Sequence, residues 1–272
     1  MRLIIPACSP GQWAARYIQK TALAFFKSHP AQRFTLGLPT GGTVEEMYAC
    51  LCQLYQTGQL DFARFTTFNM DEYAQLPPDN PQSYHAYMRA RLFDTVNIPA
   101  QEIHLLNGMA PDPHAECAAY ESAIRQAGGI QLFVGGVGRN GHIAFNEPGS
   151  AFSSRTRLVE LTPGTRQANA RFFNHNLQAV PTHALTVGIG TVSDAQEVLI
   201  LATGESKAPV LHQLAVQAPN ESCPISALKL HPRATLLADR AAAQLLPENL
   251  QRELRAQAAA HPAQDAQLEL PW

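Results

Sequence analysis

Hydrophobic and polar positions follow two periods along this chain, and their alternation predicts the fold. Short apolar runs predict buried strands, and longer segments with apolar residues three or four apart predict helices that cover them. Strands are predicted over 3–7, 34–38, 65–69, 103–106, 130–135, 184–188, 198–202 and 235–238. Helices are predicted over 10–28, 44–57, 83–96, 113–127, 206–217 and 240–256. This rhythm favours an α/β fold in which helices flank a doubly wound, mostly parallel sheet, as in Rossmann-like proteins.

No linker rich in proline, glycine or serine divides the chain, so residues 1–272 are predicted to form one domain. A chain of this length can bury the core of a large α/β domain. Residues 149–182 are polar and irregular and are predicted to form a mobile lid. The tail over 256–272 is rich in alanine and glutamine and is predicted to be loosely attached.

The formal net charge of −2 excludes a strongly basic nucleic-acid surface but permits a small anion held by local cations. No apolar run approaches the ~20 residues of a membrane span, and the N-terminus lacks a signal-like hydrophobic stretch. The cysteines are odd in number and have no partners at metal-ligand spacing. We therefore expect reduced thiols, no metal, no membrane contact and a cytoplasmic location. The five cysteines are Cys8, Cys50, Cys52, Cys117 and Cys223.

A glycine-rich turn follows the second predicted strand and is the first segment with a chemical signature. Thr40, Gly41 and Gly42 precede a helix, and Thr43 with Glu46 fits a capping box at its start. Free backbone amides and the positive end of a helix dipole favour an anion such as phosphate. A Walker A loop is excluded because no Gly-Lys-Ser/Thr sequence follows. The alternative is an ordinary tight turn.

Two cations are candidates for holding the same anion. Lys207 lies in the first turn of a predicted helix, where a cation opposes the helix dipole and an anion would compensate it. Arg171, in the predicted lid, has the planar fork that clamps phosphate. For both residues the alternative is a solvated or structural position at the surface.

Acidic and imidazole side chains follow two further strands. Asp71 and Glu72 follow the carboxyl end of the third strand, where α/β sheets bind ligands, and a carboxylate at this place fits a general base for a carbon-bound proton. His142, in a glycine-dense loop after the strand over 130–135, can transfer protons near neutral pH. Asn140 and Glu147 are placed to orient its ring by hydrogen bonding. The alternatives are a capping or solvated aspartate and a histidine buried for packing.

Six segments of the chain resemble the signature segments of the glucosamine-6-phosphate deaminase (isomerase/deaminase) family, and the resemblance covers nearly the whole chain. Long ungapped runs of this kind are highly specific. The segments are Leu-Gly-Leu-Pro-Thr-Gly-Gly-Thr over 36–43, Phe-Asn-Met-Asp-Glu-Tyr over 68–73, Gly-His-Ile-Ala-Phe-Asn-Glu-Pro over 141–148, Ser-Arg-Thr-Arg over 154–157, Ala-Leu-Thr-Val-Gly over 184–188 and Leu-Lys-Leu-His-Pro over 228–232.

The resemblance implies conversion of glucosamine 6-phosphate and water to fructose 6-phosphate and ammonia, without a metal or organic cofactor. It implies that His142 opens the pyranose ring, supported by Asn140 and Glu147, and that Asp71 moves the C2 proton to C1. The residues implied in binding the phosphate are Thr40, Gly41, Gly42, Thr43, Arg171 and Lys207.

Two departures from the family pattern concern rate and regulation. Asn140 stands where many members carry aspartate, so this position supplies no charge to an imidazolium, and we still expect an active enzyme. Ser150 and Arg157 match residues of allosterically controlled members, whereas Val159 and Glu160 replace the segment in which those members carry a basic residue. The tail also lacks their tyrosine. Weak or absent activation by N-acetylglucosamine 6-phosphate is therefore expected.

Other functions remain open at this stage. The 6-phosphogluconolactonases look similar in fold and carry a related histidine loop, but lactone hydrolysis does not require a base such as Asp71. A galactosamine-6-phosphate deaminase differs only in the stereochemistry of its sugar. A sugar-phosphate sensor without catalysis is a third alternative, although no DNA-binding extension is present. Relatives occur as monomers and as symmetric hexamers, so a homo-oligomer is possible.

Overall fold

The computed structural model describes residues 1–261 and 263–270. The strands are β1 (Arg2–Ile5), β2 (Phe34–Leu38), β3 (Phe65–Asn69), β4 (Asp71–Tyr73), β5 (Ile103–His104), β6 (Leu132–Gly136), β7 (Arg157–Glu160), β8 (His183–Thr186), β9 (Glu197–Ala202), β10 (Ala234–Ala238) and β11 (Ala266–Glu269). The α-helices are α1 (Pro10–Ser28), α2 (Glu45–Gln56), α3 (Tyr84–Met88), α4 (Pro113–Gln126), α5 (Pro163–Asn169), α6 (Ile189–Ser193), α7 (Ala208–Val216) and α8 (Glu248–Ala260). Short 3-10 turns include Gly42–Val44, Ala170–Phe173, Glu205–Lys207 and Pro224–Leu230.

Eight strands form the main sheet in the order β11-β1-β10-β9-β6-β2-β3-β5. Neighbours pair in parallel throughout, except that β11 runs antiparallel to β1. Because successive side chains of a strand point to opposite faces, Phe133 joins one apolar core while Leu132 and Val134 join the other. The predicted doubly wound, mostly parallel α/β fold is confirmed.

The strand order reverses between β2 and β6, which pair in parallel at the middle of the sheet. The chain proceeds outward from β2 through β3 to β5, and outward from β6 through β9 to β10 in the opposite direction. Loops that follow two such strands diverge and leave a crevice at the carboxyl ends, where open α/β sheets bind ligands. The ends of β9, β6, β2 and β3 therefore surround this crevice.

A second, three-stranded antiparallel sheet in the order β4-β8-β7 lies beyond the crevice. Residues 149–182, predicted to be irregular, contain β7 and α5, so that part of the prediction is wrong. An aromatic cluster that includes Tyr73, Phe145 and Phe173 packs this layer together. Closure of this segment as a lid remains a prediction.

The start of a helix was predicted correctly where a side chain caps its first backbone amides, as at α1. Ser9 caps α1 by accepting a hydrogen bond from the Gln12 amide at 3.4 Å. The capping box predicted for Thr43 and Glu46 is wrong, because α2 begins after a 3-10 turn without a side-chain cap. Glu46 instead accepts a hydrogen bond from the Ser9 hydroxyl at 2.6 Å, which ties α2 to the start of α1.

The tail prediction over 256–272 is also wrong for the part of the tail that the structure describes. Helix α8 extends to Ala260, and β11 adds an antiparallel edge strand to β1. Asp265 accepts hydrogen bonds from the Ala7 amide at 3.0 Å and the Trp13 indole at 2.7 Å. Pro262, Pro271 and Trp272 lie outside the described residues. Across those described, no helix has the length and hydrophobicity to cross a bilayer.

Candidate active site

Four neighbouring strands of the main sheet end at the crevice, and each leads into one of the segments singled out from the sequence. Strand β2 leads to Gly41 and Gly42, β3 to Asp71, β6 to the loop of His142, and β9 to Lys207. Because these strands are parallel, all four loops leave the same edge of the sheet. The sheet topology thus brings together segments that are far apart in sequence.

Asp71 opens β4 and is almost completely buried, with only 5% of its surface exposed. Its Oδ1 atom has no hydrogen-bond partner within the described structure. Burial, followed by the neighbouring charge of Glu72, raises the pKa of Asp71 well above its ordinary value. A buried carboxyl group with a free oxygen and a raised pKa is suited to accept a proton at neutral pH.

Several buried tyrosines lie close enough to this carboxyl group for its charge to affect their pKa values. Burial raises the pKa of Tyr73 to about 12, and the charge of Asp71 contributes to that shift. Burial also raises the pKa values of Tyr84 and Tyr120 well above their ordinary range, with Asp71 again contributing. Tyr120 donates a hydrogen bond to the Asn69 carbonyl at 2.6 Å, at the end of the strand that precedes Asp71.

The His142 ring lies directly against the backbone of Gly138. A Cβ atom on Gly138 would stand 2.3 Å from the ring, so glycine is required for this close approach. The Gly138 amide donates to the His142 carbonyl at 2.8 Å, and the Gly141 amide donates to the Gly138 carbonyl at 3.1 Å. Two short backbone bonds and a packed ring therefore fix the position of the imidazole.

Glu147 is the carboxylate partner of His142, at 3.6 Å from the imidazole Nδ1. Burial opposes its ionisation, but His142 and hydrogen bonds from Thr165 and Asn140 outweigh burial and lower the pKa of Glu147 to about 2. It is thus ionised at neutral pH. The Asn140 amide donates to Glu147 at 2.7 Å, while its oxygen accepts from the His142 backbone amide at 3.3 Å. Contrary to expectation, Asn140 bonds the carboxylate and the backbone and makes no bond to the ring.

The histidine loop docks on the strand that pairs with Asp71. The Phe145 amide donates to the Thr186 hydroxyl at 3.1 Å, and Thr186 is the residue of β8 that pairs with Asp71. Asn146 donates to the Val187 carbonyl at 2.8 Å, and the Val187 amide in turn donates to the residue before Asp71. These contacts hold the loop of His142 and the Asp71 carboxyl group as one unit.

The glycine turn after β2 forms one wall of a cleft of about 570 Å³. Gly41 has a φ of +109°, and nothing lies within 4 Å of a Cβ placed on Gly41 or Gly42, so the backbone is open to a ligand. Tyr87 fixes the turn by donating to the Gly41 carbonyl at 3.0 Å. The cleft is lined by Thr40, Gly41, Gly42, Tyr73, Asn169 and Arg171, among others. Thr43 follows in the same turn.

Arg171 lines the same cleft as this turn, and its charge also acts on Lys207. Burial, followed by the charges of Arg139 and Arg171, lowers the pKa of Lys207. Among the described residues, neither Lys207 nor the two arginines is paired with an acid. Sequence reasoning identified Lys207 and Arg171 but missed Arg139, although its place between Gly138 and Asn140 in the histidine loop is a signal that could have found it. Within 1–261 and 263–270, no cluster of His, Cys, Asp or Glu is arranged for a metal ion.

Ser150 and Arg157, which match allosteric positions, lie together at the start of β7. Arg157 donates to the Ser150 hydroxyl at 3.4 Å and to the Asn146 side chain at 2.8 Å. Burial lowers the pKa of Arg157. Arg157 is therefore also a support of the histidine loop, because Asn146 belongs to that loop.

Two other signature segments have structural roles. Arg155 and Thr156 surround the buried carboxylate of Glu121, which accepts five hydrogen bonds from them and from Thr191. Lys229, almost completely buried, donates to the carbonyls of Leu214 at 2.9 Å and Gln217 at 2.7 Å, and so caps the carboxyl end of α7.

A doubly wound sheet whose strand ends carry a buried carboxyl group, an imidazole and an open glycine turn is typical of an enzyme that acts on a small molecule bound at that edge. The sequence profile of the family described as glucosamine-6-phosphate isomerases/6-phosphogluconolactonase matches residues 11–237. The chain belongs to this family.

Within the family, the deaminases are the more similar relatives. A glucosamine-6-phosphate deaminase of Cronobacter sakazakii (strain ATCC BAA-894) is 50% identical over 242 residues, which cover 88% of this chain and 90% of that protein. A solved monomeric glucosamine-6-phosphate deaminase is 43% identical with a TM-score of 0.83, over 89% of this chain and 98% of the other. The 6-phosphogluconolactonase of Thermotoga maritima shares the fold, at 18% identity and a TM-score of 0.69 over 88% and 98% of the two chains.

Proposed function

We propose that this chain is an enzyme that converts glucosamine 6-phosphate and water to fructose 6-phosphate and ammonia. The observation that carries the proposal is the Asp71 carboxyl group, which is buried, has a free oxygen and lies on a strand whose neighbour β8 is hydrogen-bonded to the loop of His142. An aldose–ketose isomerisation requires a base that removes the proton on C2, and a partly desolvated carboxylate is suited to that role.

His142 is proposed to open the sugar ring by moving a proton from the hydroxyl on C1 to the ring oxygen. An imidazole that takes up a proton becomes positively charged. The ionised Glu147 carboxylate, 3.6 Å from Nδ1, would stabilise that charge. Asn140 would hold Glu147 in place through its 2.7 Å hydrogen bond.

Asp71 is then proposed to take the C2 proton of the open-chain sugar and return it to C1. The amino nitrogen passes one proton to the C1 carbonyl oxygen, so that C1 becomes a CH2OH group and the C2–N bond becomes an imine. Water adds across this imine, and as the C–N bond breaks the new hydroxyl proton passes to the nitrogen, which releases ammonia and leaves the ketone of fructose 6-phosphate. The raised pKa of Asp71 favours the first step because a more basic carboxylate accepts a carbon-bound proton more readily.

The phosphate is proposed to lie against the glycine turn after β2. Its oxygens would accept hydrogen bonds from the amides of Gly41, Gly42 and Thr43 and from the Thr40 hydroxyl, and would pair with Arg171 and Lys207. The open space around both glycines and the absence of acids paired with these cations, within the described structure, support this placement.

Identity to the two deaminases, at 50% and 43%, supports deamination over lactone hydrolysis, since the lactonase named above shares only 18%. A lactonase would also have no use for a base aimed at C2. A sensor without catalysis is disfavoured because Asp71, His142 and Glu147 keep an arrangement suited to proton transfer.

The test is an assay of the purified protein for ammonia and fructose 6-phosphate, each measured by an enzyme-coupled reaction. Glucosamine 6-phosphate, galactosamine 6-phosphate and 6-phosphogluconolactone are supplied in parallel. We expect equal amounts of ammonia and fructose 6-phosphate from the first substrate. Hydrolysis of the lactone without ammonia release from either amino sugar would overturn the proposal.

Allosteric regulation and cellular location form a second part of the proposal. Ser150 and Arg157 are in contact, but Val159 and Glu160 offer no cation beside them, so activation by N-acetylglucosamine 6-phosphate is expected to be weak or absent. All five cysteines are unpaired in the described structure, which supports a cytoplasmic location.

A further inference from the structure

We propose that Arg139 is a third phosphate-binding cation of this site, acting with Arg171 and Lys207. The inference rests on the proposed function, since it concerns the phosphate of the same substrate. It adds a residue that the signature segments do not include.

The parallel pairing of β6 and β9 brings the loops that carry Arg139 and Lys207 to the same edge of the sheet, and the charge of Arg139 is close enough to lower the pKa of Lys207. Gly136, the last residue of β6, pairs with Leu201 near the end of β9. The loop of Arg139 leaves β6 and the loop of Lys207 leaves β9, so both leave the same edge of the sheet at neighbouring points. Arg171 lines the cleft of the glycine turn, and its charge also lowers the pKa of Lys207.

The backbone at Arg139 is fixed while its side chain is exposed. Gly138 and Gly141 close a four-residue turn through a 3.1 Å hydrogen bond, and Arg139 and Asn140 form the corner of that turn. The Asn140 side chain is held by Glu147 at 2.7 Å. Arg139 thus extends from a rigid corner, which reduces the entropy lost when its guanidinium binds a ligand.

The positive charges of Arg139, Arg171 and Lys207 favour binding of an anion. In the part of the chain that the structure describes, no carboxylate pairs with Arg139, Arg171 or Lys207, whereas Arg155 contacts both Glu121 and Asp194. Burial and the two arginine charges lower the pKa of Lys207, as expected where like charges gather without compensation. A phosphate dianion bound among the three would remove this repulsion.

The chemistry of arginine fits this ligand. Its planar guanidinium can donate two parallel hydrogen bonds to one phosphate group, and it stays charged at any working pH. Because the side chain is exposed, its contribution is expected to be moderate, at roughly three- to tenfold in affinity. The contribution is to binding of the phosphate and not to proton transfer.

The experiment compares Arg139→Gln with the matched variant Arg252→Gln, which removes the same charge from an exposed position on α8. Two quantities are measured: the KM for glucosamine 6-phosphate, and the affinity for inorganic phosphate by calorimetry. For Arg139→Gln we expect both to weaken by roughly three- to tenfold, with kcat within about twofold of the parent. The control is expected to match the parent in both.

The phosphate titration separates this inference from the proposed function. If the protein lacked deaminase activity, a weaker affinity of Arg139→Gln for inorganic phosphate would still support Arg139 as a ligand. Unchanged affinity for inorganic phosphate would overturn the inference, even in an active enzyme. Loss of affinity to the same extent in Arg252→Gln would also overturn it, because overall charge would then be the cause.

Discussion

Replacing Asp71 with asparagine separates the catalytic role of this carboxyl group from its effect on stability. The change keeps the shape of the side chain and removes only its ability to ionise. Asp71 is 5% exposed and its Oδ1 atom has no partner in the described structure, so no hydrogen bond to that atom is lost. We therefore expect a folded protein whose chemistry is impaired.

The expected loss in kcat is about 10²- to 10⁴-fold, the range that a positioned general base contributes. Ring opening and phosphate binding are assigned to other residues, so the KM for glucosamine 6-phosphate is expected to change little. The assay is initial-rate release of ammonia at saturating substrate. A variant that keeps more than about a tenth of the parent kcat would refute the assignment of Asp71 as the base.

The free energy of unfolding is the second quantity to measure, because a raised folded-state pKa makes it change with pH in a known direction. Below pH ~4, Asp71 is protonated in both folded and unfolded states, and the variant and parent are expected to be equally stable. As pH rises through the interval up to the folded-state pKa, the parent loses stability relative to Asp71→Asn at about 1.4 kcal/mol per pH unit. Chemical denaturation at several pH values measures this gap.

The adjacent residue supplies the matched control. Glu72 is as buried as Asp71, but it accepts four hydrogen bonds from Tyr73, Tyr84 and His85. Glu72→Gln is expected to destabilise the fold by roughly 1–3 kcal/mol, the reverse of the effect at Asp71. A gap between Asp71→Asn and the parent that does not vary with pH would contradict the reasoning.

Three further predictions concern the loop and the lid layer. Gly138→Ala places a Cβ 2.3 Å from the His142 ring, so kcat is expected to fall about 10²-fold with little change in Tm, and an unchanged kcat would contradict this. Asn140→Asp sets a carboxylate where an amide donates to Glu147, so kcat at neutral pH is expected not to rise, and a gain of orders of magnitude would refute the role assigned to that hydrogen bond. In Glu121, hydrogen bonds outweigh burial and lower the pKa, so Glu121→Gln is expected to lose about 1–3 kcal/mol near neutral pH. That deficit is expected to shrink as pH falls below ~4.3 and to disappear once pH lies below the lowered folded-state pKa, and denaturation at neutral and acidic pH checks it.

The main sheet was predictable because its strands are short apolar runs that need no tertiary information. Strands β2 and β3 were predicted with the bounds that the structure has, and so was the start of α1, where Ser9 and Pro10 supply a cap and a first turn. The gathering of Asp71 and His142 at one edge also followed from the parallel topology.

The errors occurred where distant residues decide the local structure. Strand β7 is short and half-exposed, and it exists because β8 offers it a partner. Strand β11 lies in a polar tail and is formed by pairing with β1, whose backbone groups would otherwise be unpaired at the edge of the sheet. Thr43 does not cap α2, because a 3-10 turn precedes that helix and Glu46 bonds to Ser9 instead. The local pattern of hydrophobic and polar residues does not show which distant residues will pair with a segment.

Asp71 and Glu72 illustrate this limit within the site itself. The two residues are adjacent, equally acidic and almost equally buried, so the sequence gives no reason to choose between them as the base. Because β4 is a strand, their side chains point to opposite faces. Glu72 faces the start of α3, where its carboxylate oxygens accept hydrogen bonds from the backbone amides of Tyr84 and His85. Asp71 has a carboxylate oxygen without a hydrogen-bond partner in the described structure. The alternation of side-chain directions along β4 therefore decides which carboxylate is structural and which can take a proton. Exchanging the two residues is expected to abolish activity.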